Sequence, residues 1–177
     1  MPEMIRTWVV PTSAKLPELK FEIREPPLTG DNLGLKTWGT AFAIVKKLEE
    51  LGSKYFEHLL NTENDRPRNA TPISTRSRVT VLELGSGTGL VGIAAGAIWR
   101  TNVTLTDLPD IKENLLFNIQ RNSENIESMG GIIVGEVLDW KEPNSFAAYD
   151  STEFEVCRDN PKLWEALLTN SLDCHCC

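Results

Sequence analysis

A glycine-rich stretch in the middle of the chain, residues 79–92, constrains the fold more than any other feature. It opens with apolar, β-branched residues, which are typical of a strand buried on both faces. Gly85, Gly87 and Gly89 follow at alternate positions, and an apolar run from Leu90 then favours a helix. Glycines let a ligand approach the backbone, and a helix start offers unpaired N–H groups. The stretch therefore predicts a strand–turn–helix elbow that binds a nucleotide-type ligand in an α/β fold.

The glycines of this stretch fit two motif registers. Residues 87–92 match the dinucleotide fingerprint G-x-G-x-x-G, which is a weak signal alone and requires Gly85 and Ser86 to belong to the strand or its lead-in. The other register, E-x-G-x-G-x-G, begins at Glu83. A carboxylate there repels a pyrophosphate but suits a cationic ligand, either directly or by holding the loop through backbone N–H groups. S-adenosylmethionine carries a sulfonium and an ammonium and no phosphate, so we favour it over a nicotinamide dinucleotide.

Four short segments follow one another in a fixed order along the chain. They are residues 35–41 (LKTWGTA), 83–92 (ELGSGTGLVG), 106–109 (TDLP) and 138–140 (LDW). Together they resemble the family-16 group of seven-strand methyltransferases, which includes protein-lysine methyltransferases. The resemblance implies a Rossmann-like, doubly wound, mostly parallel sheet of the class I methyltransferases. It also implies S-adenosylmethionine as cofactor and a protein substrate that is methylated on a lysine.

An acidic residue follows the predicted second strand, residues 102–106. Asp107 lies about 20 residues beyond Gly87, the spacing at which an acid at a strand end meets the ribose hydroxyls of a nucleotide. The structural alternative for Asp107 is a helix cap. Asp110 supplies a capping-box-like start of its own, so we predict that Asp107 binds ribose.

Two further residues, Asp139 and Trp140, follow the predicted third strand, residues 131–138. A carboxylate accepts a hydrogen bond from the adenine amino group, and an indole covers a base, whereas a turn cap and a filled groove are the structural alternatives. The family resemblance implies the adenine role for Asp139. Trp38 alone is typical of a core or interface aromatic, but the resemblance implies a place near the cofactor. The predicted cofactor-binding residues are Trp38, Glu83, Gly85, Gly87, Gly89, Asp107, Asp139 and Trp140, and no catalytic residue is assigned.

The remaining sequence suggests a small N-terminal extension, residues 1–34, and a methyltransferase domain over residues 35–177. The extension is predicted to be β-rich, with an exposed-edge strand at residues 21–24. Apolar spacing predicts a helix from Ala41 to Leu51 that ends at Gly52. Residues 61–78 are polar and contain two prolines, so we expect a mobile loop.

The C-terminal region departs from the family pattern. Residues 154–157 begin like a fourth strand, but residues 158–161 interrupt it, and three further strands lack the length they need. We therefore expect a partial domain without its C-terminal strands, and an inactive isoform that retains cofactor or partner binding is the alternative. Residues 174–177 (CHCC) are too crowded for one tetrahedral ion, so no metal site is predicted.

Composition bounds the class of protein. The 177 residues carry a net charge of −7 with 41% hydrophobic residues, which suits a soluble globular domain and argues against a nucleic-acid surface. A basic protein segment would suit such an acidic enzyme. No membrane segment or signal peptide is visible, and the four cysteines cluster near residue 177. We expect a cytoplasmic or nuclear protein that is monomeric if the domain is complete.

Overall fold

The computed structural model describes residues 3–14, 16–27, 33–60 and 80–142. The N-terminal elements are strands β1 (Met4–Val10) and β2 (Leu19–Glu25), a 3-10 turn (Leu33–Leu35), and helices α1 (Gly39–Val45), α2 (Leu48–Lys54) and α3 (Glu57–Leu60). The elements after them are β3 (Thr80–Leu84), α4 (Leu90–Trp99), β4 (Asn102–Asp107), α5 (Pro109–Arg121), α6 (Ser123–Met129) and β5 (Ile132–Val137). None of the described helices has the length and apolar character that a bilayer crossing requires.

Strands β3, β4 and β5 form a parallel sheet in that spatial order, and helices connect them. Leu84 pairs with Thr106, which in turn pairs with Glu136, so the three strands end at the same edge. This edge is where open α/β sheets bind ligands. The parallel α/β arrangement confirms the predicted Rossmann-like fold. The predicted mobile loop, residues 61–78, and the predicted fourth strand, residues 154–157, lie outside the described residues.

Helix α4 forms the centre of the core because it is apolar on all sides. Its residues from Gly92 to Ile98 are buried, and it contacts the sheet as well as α1 and α2. Glycines allow the close approach to the strands: a Cβ added at Gly96 would lie 2.7 Å from the side chain of Ile133. The small residues of this helix therefore fix the position of the loop that precedes it.

The helix predicted from Ala41 to Leu51 is divided in two. Helix α1 ends at Val45, and the chain turns before α2 begins at Leu48. The prediction that Gly52 ends the helix was wrong, because Gly52 is buried inside α2. An added Cβ there would lie 2.6 Å from Nε1 of Trp99, so the glycine allows α2 to pack on this indole. The indole N–H also donates to the carbonyl of Leu48 over 2.8 Å.

The predicted β-rich N-terminal region contains the antiparallel pair β1–β2. Residues 21–24 lie within β2, and Phe21 and Ile23 on its inner face are fully buried. The prediction that the edge of this strand is exposed was wrong, because side chains bond to the backbone along the edge that faces away from β1. These side chains are asparagines of α5 and Asn122, which directly follows α5. Asn122 accepts from the N–H of Glu22 and donates to its carbonyl, each over 2.9 Å. Asn114 and Asn118 are likewise buried against β2.

Candidate functional site

The glycine loop comprises residues 85–89, between the end of β3 and the start of α4. Gly85, Gly87 and Gly89 have φ angles of +67°, +57° and +84°, a region that side-chain-bearing residues avoid. The N–H of Gly89 donates to the carbonyl of Ser86 over 2.8 Å and closes the turn. Because Gly85 and Ser86 belong to the turn, the loop does not meet the requirement of the dinucleotide register. It follows the register that begins at Glu83.

Strand β4 fixes the first half of this loop. Ser86 donates its N–H to the carbonyl of Thr106 over 2.9 Å, and its Oγ accepts from the N–H of Thr106 over 3.1 Å. Asp107 continues this contact, because its Oδ2 accepts from the N–H of Gly87 over 2.6 Å. The other oxygen, Oδ1, accepts from the N–H of Leu108 over 2.7 Å, beside the start of α5. Asp107 therefore joins the glycine loop to the end of β4.

The side chain of Glu83 lies behind the loop, against the first turn of α4. Burial raises the pKa of this carboxyl from 4.5 to about 7, and the nearby Asp107 adds to the rise. The N–H of Gly92 and the hydroxyl of Ser86 oppose the shift. Among the described residues, Oε2 of Glu83 has no hydrogen-bond partner. Of the two roles considered for this acid, the position favours support of the loop and helix start over direct ligand contact.

Two residues after β5 complete the edge of the sheet. Oδ1 of Asp139 accepts from the N–H of Lys141 over 2.9 Å, which is the turn-capping role considered as an alternative. Trp140 is 50% exposed, and its ring lies over Gly85, with Cζ2 3.5 Å from an added Cβ. An indole that is half exposed beside a glycine offers an apolar face to a ligand.

Comparison with known proteins identifies the family of the chain. Residues 15–157 match the sequence profile of a family described as lysine methyltransferase. The chain belongs to this lysine methyltransferase family. The match confirms the predicted family and agrees with the Rossmann-like sheet and with the register of the glycine loop.

Individual members named as protein-lysine methyltransferases are similar to the chain. It is 40% identical over 121 residues to protein-lysine N-methyltransferase rrg1 of Schizosaccharomyces pombe, over 68% of this chain and 33% of that protein. It is 35% identical over 131 residues to protein-lysine N-methyltransferase EFM2 of Saccharomyces cerevisiae, over 70% of this chain and 28% of that protein. A bovine (Bos taurus) relative, protein-lysine methyltransferase METTL21E, is 35% identical over 94 residues, which cover 50% of this chain and 32% of that protein. The matched regions span about a third of each relative.

The lysine methyltransferase fold brings most of the predicted cofactor-binding residues to one edge of the sheet. The loop glycines follow β3, Asp107 ends β4, and Asp139 and Trp140 follow β5. The N–H of Leu138 donates to the carbonyl of Asp107 over 3.0 Å, which ties the ends of β4 and β5 together. The roles of these residues toward a cofactor stay predictions.

Trp38 lies at the start of α1, in the N-terminal part of the chain. It precedes the first residue of α1, and its side chain is 53% exposed, so it is not a core aromatic. The interface role considered with it is untested. The neighbouring Thr37 reaches the glycine loop, because its hydroxyl lies 2.8 Å from that of Thr88. The cofactor role of Trp38 stays a prediction.

Three residues that contact or support the loop were not singled out as site residues from the sequence: Thr37, Thr88 and Asn118. Thr88 lies inside the glycine motif, and Thr37 lies inside the upstream segment of the family pattern. Both segments therefore carried a signal, but no spacing rule links residues that are 51 positions apart. Asn118 lies on α5, 30 positions beyond Thr88 and outside the four segments of the family pattern.

Proposed function

We propose that this chain binds S-adenosylmethionine and that its site serves the methylation of a lysine in a protein substrate. The observation that carries the proposal is the convergence of the glycine loop, Asp107 and Trp140 at the carboxyl edge of a parallel sheet. Relatives named as protein-lysine methyltransferases support the substrate class. Membership of a methyltransferase family supports the methyl donor.

The residues at this edge fit the chemical groups of S-adenosylmethionine. Trp140 presents a half-exposed ring that suits adenine. An ionised carboxylate has about four acceptor sites, so Asp107 retains capacity for ribose hydroxyls beside its two backbone bonds. A pyrophosphate beside this loop would be repelled by Glu83 whenever that carboxyl is ionised, whereas S-adenosylmethionine carries no phosphate.

Methyl transfer requires mainly that the protein position the donor and the acceptor. When bound, S-adenosylmethionine supplies an electrophilic methyl group on its sulfonium. The loop and its neighbours would orient this donor for in-line attack, which is where positioning lowers the barrier. A lysine, with a pKa of about 10.4 in water, must first lose its proton, and desolvation promotes that loss. The net charge of −7 favours an approach by a basic protein segment.

Titration of the purified chain with S-adenosylhomocysteine and, separately, with NADH tests the cofactor. We expect saturable binding of S-adenosylhomocysteine, and selective binding of NADH would contradict the proposal. Gly87→Arg is the disabling variant, because Gly87 has φ of +57° and an added Cβ would lie 3.0 Å from the carbonyl oxygen of Gly34.

Transfer of a tritiated methyl group to proteins of a substrate-rich lysate tests the reaction. We expect labelling by the wild type and little labelling by Gly87→Arg. Equal labelling by both proteins would exclude catalysis by this site. Binding of S-adenosylhomocysteine without any labelling would support the alternative of a cofactor-binding isoform that is inactive. The cytoplasmic or nuclear location and the monomeric state stay predictions.

A further inference from the structure

The middle residue of the glycine loop is held on two sides. Thr88 lies between Gly87 and Gly89 and is only 3% exposed. Its hydroxyl oxygen lies 2.8 Å from that of Thr37, and its carbonyl accepts from Nδ2 of Asn118 over 2.9 Å. Both contacts come from outside the strand–loop–helix unit to which the loop belongs.

Both contacts lead back to consecutive residues at the end of β2. Oδ1 of Asn118 accepts from the N–H of Arg24 over 2.8 Å, and Nδ2 also donates to the carbonyl of Arg24 over 3.3 Å. The N–H of Thr37 donates to Oε1 of Glu25 over 3.4 Å, and Glu25 is itself buried. The antiparallel pair β1–β2, called the N-terminal hairpin below, is therefore connected to the glycine loop by two paths, one through Asn118 and one through Thr37.

A fixed residue at this position has a physical consequence for binding. The flanking glycines have the largest conformational freedom of any residue type, so the loop loses entropy when it adopts one shape. A buried residue with two hydrogen bonds restricts that freedom before a ligand arrives. Preorganisation of this kind raises affinity because less ordering remains to be done on binding.

We propose that Thr88 is the positioning residue of the glycine loop. Thr37 and Asn118, which are themselves hydrogen-bonded to the end of strand β2, hold Thr88 in place. This inference rests on the proposed function and adds that the N-terminal hairpin controls the affinity of the cofactor site. Thr88 acts through the shape of the loop and is not a catalytic residue.

Calorimetric titration with S-adenosylhomocysteine, below the unfolding temperature of each variant, tests the hydroxyl pair. Thr88→Val keeps the shape of the side chain and removes the hydroxyl, and we expect about three- to tenfold weaker binding, the equivalent of one lost hydrogen bond. Thr88→Ser keeps the hydroxyl and should bind within about twofold of the wild type. The double variant Thr37→Val with Thr88→Val should bind no more weakly than Thr88→Val alone, because one shared contact is lost.

A matched pair, Asn118 on α5 and Asn122 directly after that helix, separates positioning from stability. Asn118→Ala and Asn122→Ala each remove amide contacts to the backbone of β2, but only Asn118 also bonds to the loop. Both variants should unfold at lower urea concentration than the wild type. Only Asn118→Ala should bind S-adenosylhomocysteine more weakly.

Affinities that are unchanged in Thr88→Val and Asn118→Ala, at a binding stoichiometry near one, would overturn the inference while the proposed function stands.

Absence of binding by the wild type would instead contradict the proposed function. If the wild type does not bind, amide hydrogen exchange at Gly87 and Gly89 tests the inference without a ligand. Faster exchange in Thr88→Val than in Asn122→Ala supports it, and equal exchange in the two variants overturns it.

Discussion

The backbone N–H of Gly87 donates to Oδ2 of Asp107 over 2.6 Å, which joins the glycine loop to the end of β4. The two residues are 20 positions apart in the sequence. The same carboxylate accepts from the N–H of Leu108 through its other oxygen. Asp107 therefore organises the polypeptide at the position where the family pattern predicts ribose binding.

Replacement of Asp107 should affect both stability and binding. Asp107→Ala leaves the N–H groups of Gly87 and Leu108 without this acceptor, and we expect a loss of about 1–3 kcal/mol in the free energy of unfolding. Affinity for S-adenosylhomocysteine should fall at least tenfold, since the loop and the ribose acceptor are lost together. Urea denaturation and calorimetry measure the two effects. Asp110→Ala, an exposed acid on the first turn of α5, is the control, and an equal loss there would contradict the assignment.

Glu83 should make stability depend on pH in a defined window. Its pKa is raised to about 7 in the folded chain from 4.5, so the unfolded chain releases its proton first as the pH rises. The contribution of Glu83 to the free energy of unfolding is therefore fully present below about pH 4.5 and is lost as the pH rises to about 7. Glu83→Gln removes this dependence. As the pH rises through the window, the free energy of unfolding of the variant minus that of the wild type should therefore increase by up to about 3 kcal/mol.

Thermal or urea unfolding of Glu83→Gln and the wild type at several pH values measures this difference. Glu127→Gln, at an exposed position of α6, is the matched control and should show no comparable trend. A constant difference between Glu83→Gln and the wild type from pH 4.5 to 8 would mean that the buried carboxyl does not titrate as expected.

Gly92 and Gly39 make a pair of helix glycines with opposite expectations. A Cβ at Gly92 would collide with the side chains of Leu105 and Glu83, whereas a Cβ at Gly39 meets nothing within 4 Å. Gly92→Ala should lower the free energy of unfolding by about 1–3 kcal/mol through overpacking. Gly39→Ala should leave it unchanged or raise it by up to about 1 kcal/mol. Chemical denaturation distinguishes the two, and equal effects would show that packing behind the loop is looser than described.

Trp140 should contribute to binding more than to stability. Its ring is half exposed over Gly85, so Trp140→Ala removes little buried surface. We expect S-adenosylhomocysteine to bind about three- to tenfold more weakly, as the loss of one aromatic contact implies. Tyr55→Ala, an equally exposed aromatic at the end of α2, is the control. Unchanged affinity in Trp140→Ala would remove this residue from the predicted adenine site.

Local patterns predicted the parts of the site that depend on neighbours in the sequence. Gly85, Gly87 and Gly89 required a turn after a strand, and each adopts positive φ. Asp107 was identified because its distance from the motif is set by one helix and one strand. The end of the first long helix was predicted wrongly. Gly52 packs against the indole of Trp99, which is 47 residues further along the chain, and does not end the helix.

The sequence by itself determined the family, the parallel α/β fold and the register of the glycine loop, because these follow from short segments with fixed spacing. Only the tertiary structure decided what holds the loop in place. The bonds from Thr37 and Asn118 to Thr88 join residues 51 and 30 positions apart. Asn118 reaches Thr88 from α5, which packs against β2, and Thr37 reaches it from the segment before α1. No local pattern encodes such contacts, since they depend on which faces of separate elements are buried together.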